Sequence, residues 1–427
     1  WQVLCLLEKD DPAYLELSNI LTRAVNLLDL RKPGSNAYYQ SIEDAEALLT
    51  QALYTNPRES AATICCVGHT HIDVAWLWTL AVTEDKAVRS FSTVLELMKR
   101  YPEYRFMSSQ PQLYQYVKKN APEVYAQIKE RIAEGRWEAE GGMFLEADCN
   151  LTSGESLVRQ FLYGKRFFKQ EFDVDSQILW LPDVFGYSAA LPQILRKSGV
   201  DWFVTSKISW NDTNTMPMDA FYWQGIDGTE IFTNFITTQR YAGLDGGYGN
   251  TTYVGMLSPS EIKGTWNKFL QKEYANRALN TYGFGDGGGG PTYGMLEFLK
   301  RTKDLNGMPE IESSTISKFM QEVEEEHKDN LPVYDGELYL ELHRGTLTQM
   351  HQVKKNNREA EIALHNLELF NVLSGKAINE NLDVLYKTLL KNQFHDILPG
   401  TSIPRVYEIA IPEMLELIAK AKAETNA

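Results

Sequence analysis

Between Pro12 and Tyr54 apolar residues recur at three- and four-residue spacing, first in "PAYLELSNILTRAVNLLDL" and then in "YQSIEDAEALLTQALY", which predicts two amphipathic helices. The pattern changes at "SAATICCVGHTH", a short apolar run that reads as a buried strand ending where two histidines begin. Helix and strand patterns then alternate. Strands are predicted over "YRFMSSQ", "RWEAEGG", "SQILWLPD" and "DWFVTSK", with helices over "EDKAVRSFSTVLELMKRYP", "PEVYAQIKERIAEG", "SLVRQFLYGKRFFKQEF" and "LPQILRKSG" among them. Such alternation with short connections predicts an α/β fold, a parallel sheet wrapped by helices. Right-handed crossovers place the strands' C-terminal ends on one face, where folds of this class hold their sites. "FYWQGIDGTEIF" predicts a hairpin turning at Asp227–Gly228.

Near residue 345 the strand signals stop. "TLTQMHQVKKNNREAEIALHNLELFNVLSG", "NLDVLYKTLLKNQFHDILPG" and "PRVYEIAIPEMLELIAKAKAET" predict three helices, broken at Gly375 and at Pro399–Gly400, and hence a three-helix bundle. The expected division is a helical segment over 1–58, an α/β domain over 59–344 and the bundle over 345–427. A chain of 427 residues has room for several such units.

Composition narrows the function classes. No apolar run reaches the roughly 18–20 residues of a membrane span. A net charge of −15 argues against a nucleic-acid partner, which calls for a concentrated basic surface. The first residues lack a basic leader followed by an apolar core, and a start at Trp1 suggests that residues precede it. Cys5, Cys65, Cys66 and Cys149 form no spaced framework, so they read as reduced thiols of a cytoplasmic protein, with Cys65 and Cys66 in a core strand.

Four stretches carry candidate chemistry. In "VGHTHIDVAWLW", His71 and Asp73 are two apart and face the same side of an extended segment. Imidazole nitrogen and carboxylate oxygen suit Zn²⁺, although polar residues also cap strand ends. In "WLPDVFGYS", Asp183 follows an apolar strand and stands among aromatics, as a nucleophile or metal ligand would; a helix cap is the plainer reading. "NQFHDILPGT" places His395 and Asp396 in the second bundle helix, about 100° apart, so that one ligates and the other supports or meets a substrate. "YGFGDGGGGPT" sets six glycines around Asp286 without the lysine of a phosphate loop, which reads as a sugar-contacting loop or a flexible turn. Trp76, Trp78, Phe185 and Tyr187 lie beside these motifs and suit the apolar face of a pyranose.

Taken in order, "GHTHIDVAWLW", "WLPDVFGYS", "GFGDGGGGPT" and "NQFHDILPGTS" resemble glycoside hydrolase family 38, the retaining zinc-dependent α-mannosidases, in its bacterial and cytosolic branch. The resemblance runs from about residue 60 to about 410. It implies a barrel-like catalytic domain of seven parallel strands, a three-helix bundle and a β-sandwich region that has no counterpart up to residue 427. It also implies one Zn²⁺ per chain on His71, Asp73, Asp183 and His395, with Asp183 as nucleophile. Trp76 and Phe185 match aromatics around the cleaved sugar, Lys207 a basic position near the nucleophile, and Asp396 an acid on sugar hydroxyls. Other branches carry two consecutive acids in the Gly-rich loop, the second being their acid/base. Here Asp286 precedes Gly287, leaving Asp286 as the candidate. His69 is expected to support its loop. The implied substrate is a mannose-containing oligosaccharide, and a homo-oligomer is left open.

Two other classes compete. A metal-dependent amidohydrolase or deacetylase also opens on His-x-His at a strand end, but it needs further histidines at later strand ends. Here His327, His343, His351, His365 and His395 fall mainly in or beside helical pattern. A non-catalytic sugar-binding protein would explain the aromatics but not an acid-rich metal site.

Overall fold

The structure, a computed structural model, describes residues 1–54, 62–240, 250–375 and 380–426. Its strands are β1 (Thr63–His69), β2 (Phe106–Ser108), β3 (Trp137–Ala139), β4 (Ile178–Leu181), β5 (Trp202–Thr205), β6 (Ala220–Gln224), β7 (Glu230–Phe235), β8 (Arg277–Tyr282), β9 (Glu310–Ser313) and β10 (Val333–Asp335). The expected α/β character and parallel pairing are present. Among the described residues the strands number ten, in two five-stranded sheets, where one parallel set of seven was expected.

The first sheet runs β3-β2-β1-β8, all parallel. β1 is its centre. Residues 63–68 pair with β8 along one edge; on the other, 63–66 pair with β9 and 68–69 with β2. Being covered on both faces, β1 is apolar along almost its whole length, and Cys65 and Cys66 are core residues as expected. All four cysteines are free thiols.

The second sheet runs β10-β6-β7-β5-β4. β6 and β7 form the expected hairpin, Gln224 pairing with Glu230 and Gly228 taking a positive φ of 83° in the turn. A parallel bridge between Gly141 and Leu179 links the chain beyond β3 to β4, and so one sheet to the other.

The predicted helices are present, but two kinds of correction are needed: helices also form where none was predicted, at Pro259–Lys268 and Tyr293–Thr302 among others, and one predicted helix ends early. Pro111–Asn120 is a helix that the periodicity did not single out; it starts with proline at its first position, directly after Gln110 with φ of +62°. The second correction is at the C-terminal side. His351–Leu373, Glu380–Asn392 and Pro404–Asn426 pack against one another in pairs. The middle one stops at Asn392, so His395 and Asp396 lie in the turns that follow it and not in the helix. Tertiary hydrogen bonds take over there: Asp148 N donates to Gln393 O and His395 N to Glu146 O, and Ala147 bridges Phe394. No described helix is long and apolar enough to cross a membrane.

The helix Gly154–Phe172 presses Gly164 onto the segment that joins the two sheets. A Cβ at Gly164 would lie 2.2 Å from Gly142 O and 2.4 Å from Met143 C. Both are backbone atoms and cannot swing aside. Gly164→Ala is therefore expected to lower unfolding free energy by about 1–3 kcal/mol. Gly154→Ala in the same helix, whose nearest neighbour would be 3.9 Å away, should stay within about 0.5 kcal/mol. Denaturant unfolding of the two variants checks the contrast.

Candidate metal centre and active site

β1 ends at His69, and the chain continues as an extended segment through Asp73. His69 itself is turned away from the site. Its Nδ1 lies 3.1 Å from Met107 O and its Nε2 accepts from the Trp180 indole at 3.3 Å. Burial pushes its imidazole down to about 4, so it is neutral and holds the strand end in place, as expected.

His71 and Asp73 do share one side of the segment, with Nε2 and Oδ1 2.9 Å apart. Asp183 follows β4 and caps no helix; the next helix, Leu191–Lys197, begins well beyond it. The turn after Asn392 delivers His395, whose Nε2 is 3.5 Å from Asp73 and 3.6 Å from Asp183. One ligand atom from each of His71, Asp73, Asp183 and His395 lies within 4.8 Å of the other three, and all four residues are buried.

The chemistry of these donors can be weighed for a metal ion. His395 Nε2 is buried and makes no hydrogen bond. Two imidazole nitrogens and two carboxylate oxygens are a set that divalent transition ions accept. The carboxylates around the two imidazoles favour their protonated form. Burial lowers the His395 imidazole, but Asp183 and Asp73 outweigh it and bring the group up to about 10. His71 is likewise disfavoured by burial and held well above the usual imidazole value by Glu146 and Asp73. An ion would replace those protons as the positive charge.

Asp183 is also paired with Lys207, whose ammonium donates to Oδ1. Burial alone would raise this carboxyl, yet Lys207 and His395 hold it well below the ordinary carboxylate range. Lys207 stands 4.0 Å over the Trp210 ring and 5.5 Å over Phe185. Phe185 packs edge to face on His395 at 5.7 Å, with His343 behind it at 4.7 Å. Trp76 is half-buried, 5.8 Å from Trp78. Tyr187 differs from expectation: it is fully buried, and its hydroxyl is used by Leu181 O, Val184 O and Thr205. It is a core residue.

The Gly-rich loop is tied down at several points. Asp73 N donates to Asp286 O at 2.8 Å, Ile72 bridges Gly287, Gly289 N donates to Ser90 Oγ at 2.8 Å and Lys86 Nζ to Gly287 O at 3.2 Å. Asp286 takes a φ of +55°, a conformation seldom adopted outside glycine, which stores strain beside the site. Its Oδ1 accepts from Tyr253 O–H at 2.8 Å. Burial chiefly raises the Asp286 carboxyl; His71 opposes, while Asp73 and Asp183 add to the rise. The site thus holds one carboxyl below the ordinary carboxylate range and another shifted above it. Asp396 is buried behind His395 at 3.9 Å and accepts from Thr401 O–H. Burial and then Asp73 push its carboxyl up to about 7.

Sequence patterns did not point to Glu146, Tyr253 or His343. Glu146 lies in "FLEADCN", which has neither periodicity nor motif spacing to mark it, and Tyr253 stands on a loop far from Asp286 in the chain.

Comparison with known proteins agrees with this geometry. The model of the glycosyl hydrolases family 38 N-terminal domain matches residues 61–337, and that of the alpha mannosidase middle domain matches residues 341–427. Alpha-mannosidase G of Dictyostelium discoideum is 41% identical over 368 residues, 85% of this chain and 33% of that protein. Human alpha-mannosidase 2C1 is 39% identical over 414 residues, 95% of this chain and 38% of that protein. The chain spans between 33% and 38% of the length of these relatives. An Enterococcus faecalis alpha-mannosidase shares the fold, with a TM-score of 0.71 at 19% identity, over 86% of this chain and 42% of that one. With one family model matching residues 61–337, all ten described strands included, and the middle-domain model matching residues 341–427, this chain belongs to glycosyl hydrolase family 38.

Proposed function

We propose that this chain carries the catalytic part of a retaining, zinc-dependent exo-α-mannosidase acting on terminal α-linked mannose of oligosaccharides. One observation carries the reading: a buried pair of histidines and pair of aspartates in which Asp183 is shared between the metal cluster and the Lys207 ammonium. The names of the relatives supply the sugar. His71, Asp73, Asp183 and His395 hold one Zn²⁺, which supplies Lewis-acid polarisation of sugar hydroxyls when bound.

The residues divide the work between two carboxyls. Asp183, kept ionised by Lys207, attacks the anomeric carbon as the glycosidic C–O bond breaks, and Asp286 gives its proton to the departing oxygen. The product is a glycosyl ester on Asp183. Water then adds to the anomeric carbon, Asp286 takes its proton, and Asp183 leaves with the bonding pair. Trp76 and Phe185 flank the sugar ring, and Asp396 contacts its hydroxyls. Tyr253 holds the Asp286 carboxyl in place.

In this reading residues 1–58 form a helical segment, 59–344 a catalytic domain and 345–427 a three-helix bundle. The two sheets together make one barrel-like unit. The family-model limits support the division. The four free thiols support a reducing compartment such as the cytoplasm.

His71→Ala is expected to abolish metal retention, read by elemental analysis after dialysis, with the far-UV circular dichroism nearly unchanged. A variant that still held one equivalent of zinc would remove His71 from the ligand set. Asp183→Asn should eliminate turnover of an aryl α-mannoside and leave folding intact, because the residue stands at a strand end and little packing is lost. Near-full activity would exclude it as nucleophile.

Asp286→Ala should slow hydrolysis of a mannosyl-mannose far more than that of a dinitrophenyl mannoside, since a poor leaving group depends on protonation. Azide should restore part of the deglycosylation, as it needs no general base. Equal losses on both substrates without azide rescue would assign Asp286 a binding role instead.

A further inference from the structure

Both histidines of the cluster turn their second ring nitrogen toward the same residue. His71 Nδ1 lies 3.1 Å from Glu146 Oε2. His395 Nδ1 lies 2.8 Å from the main-chain oxygen of Glu146, and the backbone N–H of His395 donates to that same oxygen at 3.2 Å. Each ring therefore presents Nε2 to the cluster and Nδ1 to Glu146.

Glu146 is only 2% exposed, and among the described residues its ion-pair partner is His71 alone. A carboxylate buried without a lysine or arginine is costly unless something in the fold requires it. The remainder of its surroundings fixes its direction. Ser109 Oγ donates to Oε1 at 2.7 Å, which leaves Oε2 aimed at His71. The Gln110 side chain ties the two segments together, donating from Nε2 to Ile72 O at 3.1 Å and accepting from Glu146 N at Oε1 at 3.4 Å.

We infer that Glu146 is the positioning residue of the metal centre, acting on both histidine ligands at once. Its carboxylate stands against His71 Nδ1 as an ion-pair partner at 3.1 Å, and its carbonyl oxygen accepts the Nδ1 proton of His395. Each imidazole is thereby held in the tautomer whose Nε2 lone pair is free for an ion. A carboxylate behind an imidazole also raises the basicity of the ligating nitrogen, and such partners are worth about 10–100-fold in metal affinity. The inference rests on the metal-centre reading above and adds to it the residue that orients the ligands.

The test compares Zn²⁺ affinity of the full chain with that of Glu146→Gln, by competition with a chromophoric chelator. The expected result is a 10–100-fold weaker affinity, with the unfolding temperature of the metal-free protein changed by no more than a few degrees. In ¹⁵N-histidine spectra of the zinc-loaded protein, His71 should be in the Nδ1–H form in the unchanged chain and mixed in the variant. Glu146→Asp keeps a carboxylate and should recover part of the affinity; it also decides the matter if the Gln variant does not fold. Unchanged affinity in the variant that folds overturns the inference, as does a loss of metal matched by an equal loss of fold stability. His71→Ala run alongside separates the two levels. If His71→Ala loses zinc and Glu146→Gln keeps it, only the role of Glu146 fails; if both keep it, the metal-centre reading fails first.

Discussion

The structure turns on how several buried carboxylates are kept together without water. Asp73, Asp183 and Asp396 all lie within 4 Å of one nitrogen, His395 Nε2. Three like charges in a dry core repel, and the repulsion is several-fold stronger there than in water. The fold answers with Lys207 against Asp183 and with two imidazoles shifted toward their charged form. The same imbalance that makes the cluster expensive without an ion makes it receptive to one.

That requirement explains the placement of the surrounding elements. β1 and β4 stop where their carboxylates are needed, each in a strand buried on both faces and thus rigid at its end. The ligand from the C-terminal side cannot come from a strand end, because no strand is described there. It comes from a turn sewn to the segment 146–148 by two backbone hydrogen bonds, which together make the Ala147–Phe394 bridge. The Gly-rich loop closes the other side, its backbone bonded to the amide of a cluster member. Asp286 pays for that position with a left-handed backbone.

Strands β1 to β7, many helices and the motifs whose side chains the structure gathers into one cluster could be read from the chain because they depend on local spacing, whereas β8, β9 and β10 carried no such signal. His71 and Asp73 share a face by simple alternation, and Asp183 follows an unmistakably apolar strand. The reading failed where distant segments decide. The apolar spacing through Phe394, Ile397 and Leu398 continues a helical rhythm, so His395 looked helical; hydrogen bonds to residues 146–148 end the helix at Asn392 instead. Tyr187 sits among aromatic neighbours in the sequence, yet three internal partners claim its hydroxyl. Pairing of β1 with two different strands along one edge, and with it the split into two sheets, is a matter of shape that no periodicity records.

His71 and His395 come from opposite ends of the described chain, one beyond the first strand and the other between the last two helices. An ion gripped by both would close the polypeptide between residues 71 and 395 into a loop. In that respect it acts as a reversible cross-link, and one that joins distant residues removes much freedom from the unfolded chain. Its release would leave the helical end held to the α/β part by packing and by hydrogen bonds and ion pairs such as Gln160 Nε2 to Leu390 O, Ile403 N to Trp76 O and Arg159 with Glu368. The centre is then as much a fastener between two parts of the protein as a place for chemistry.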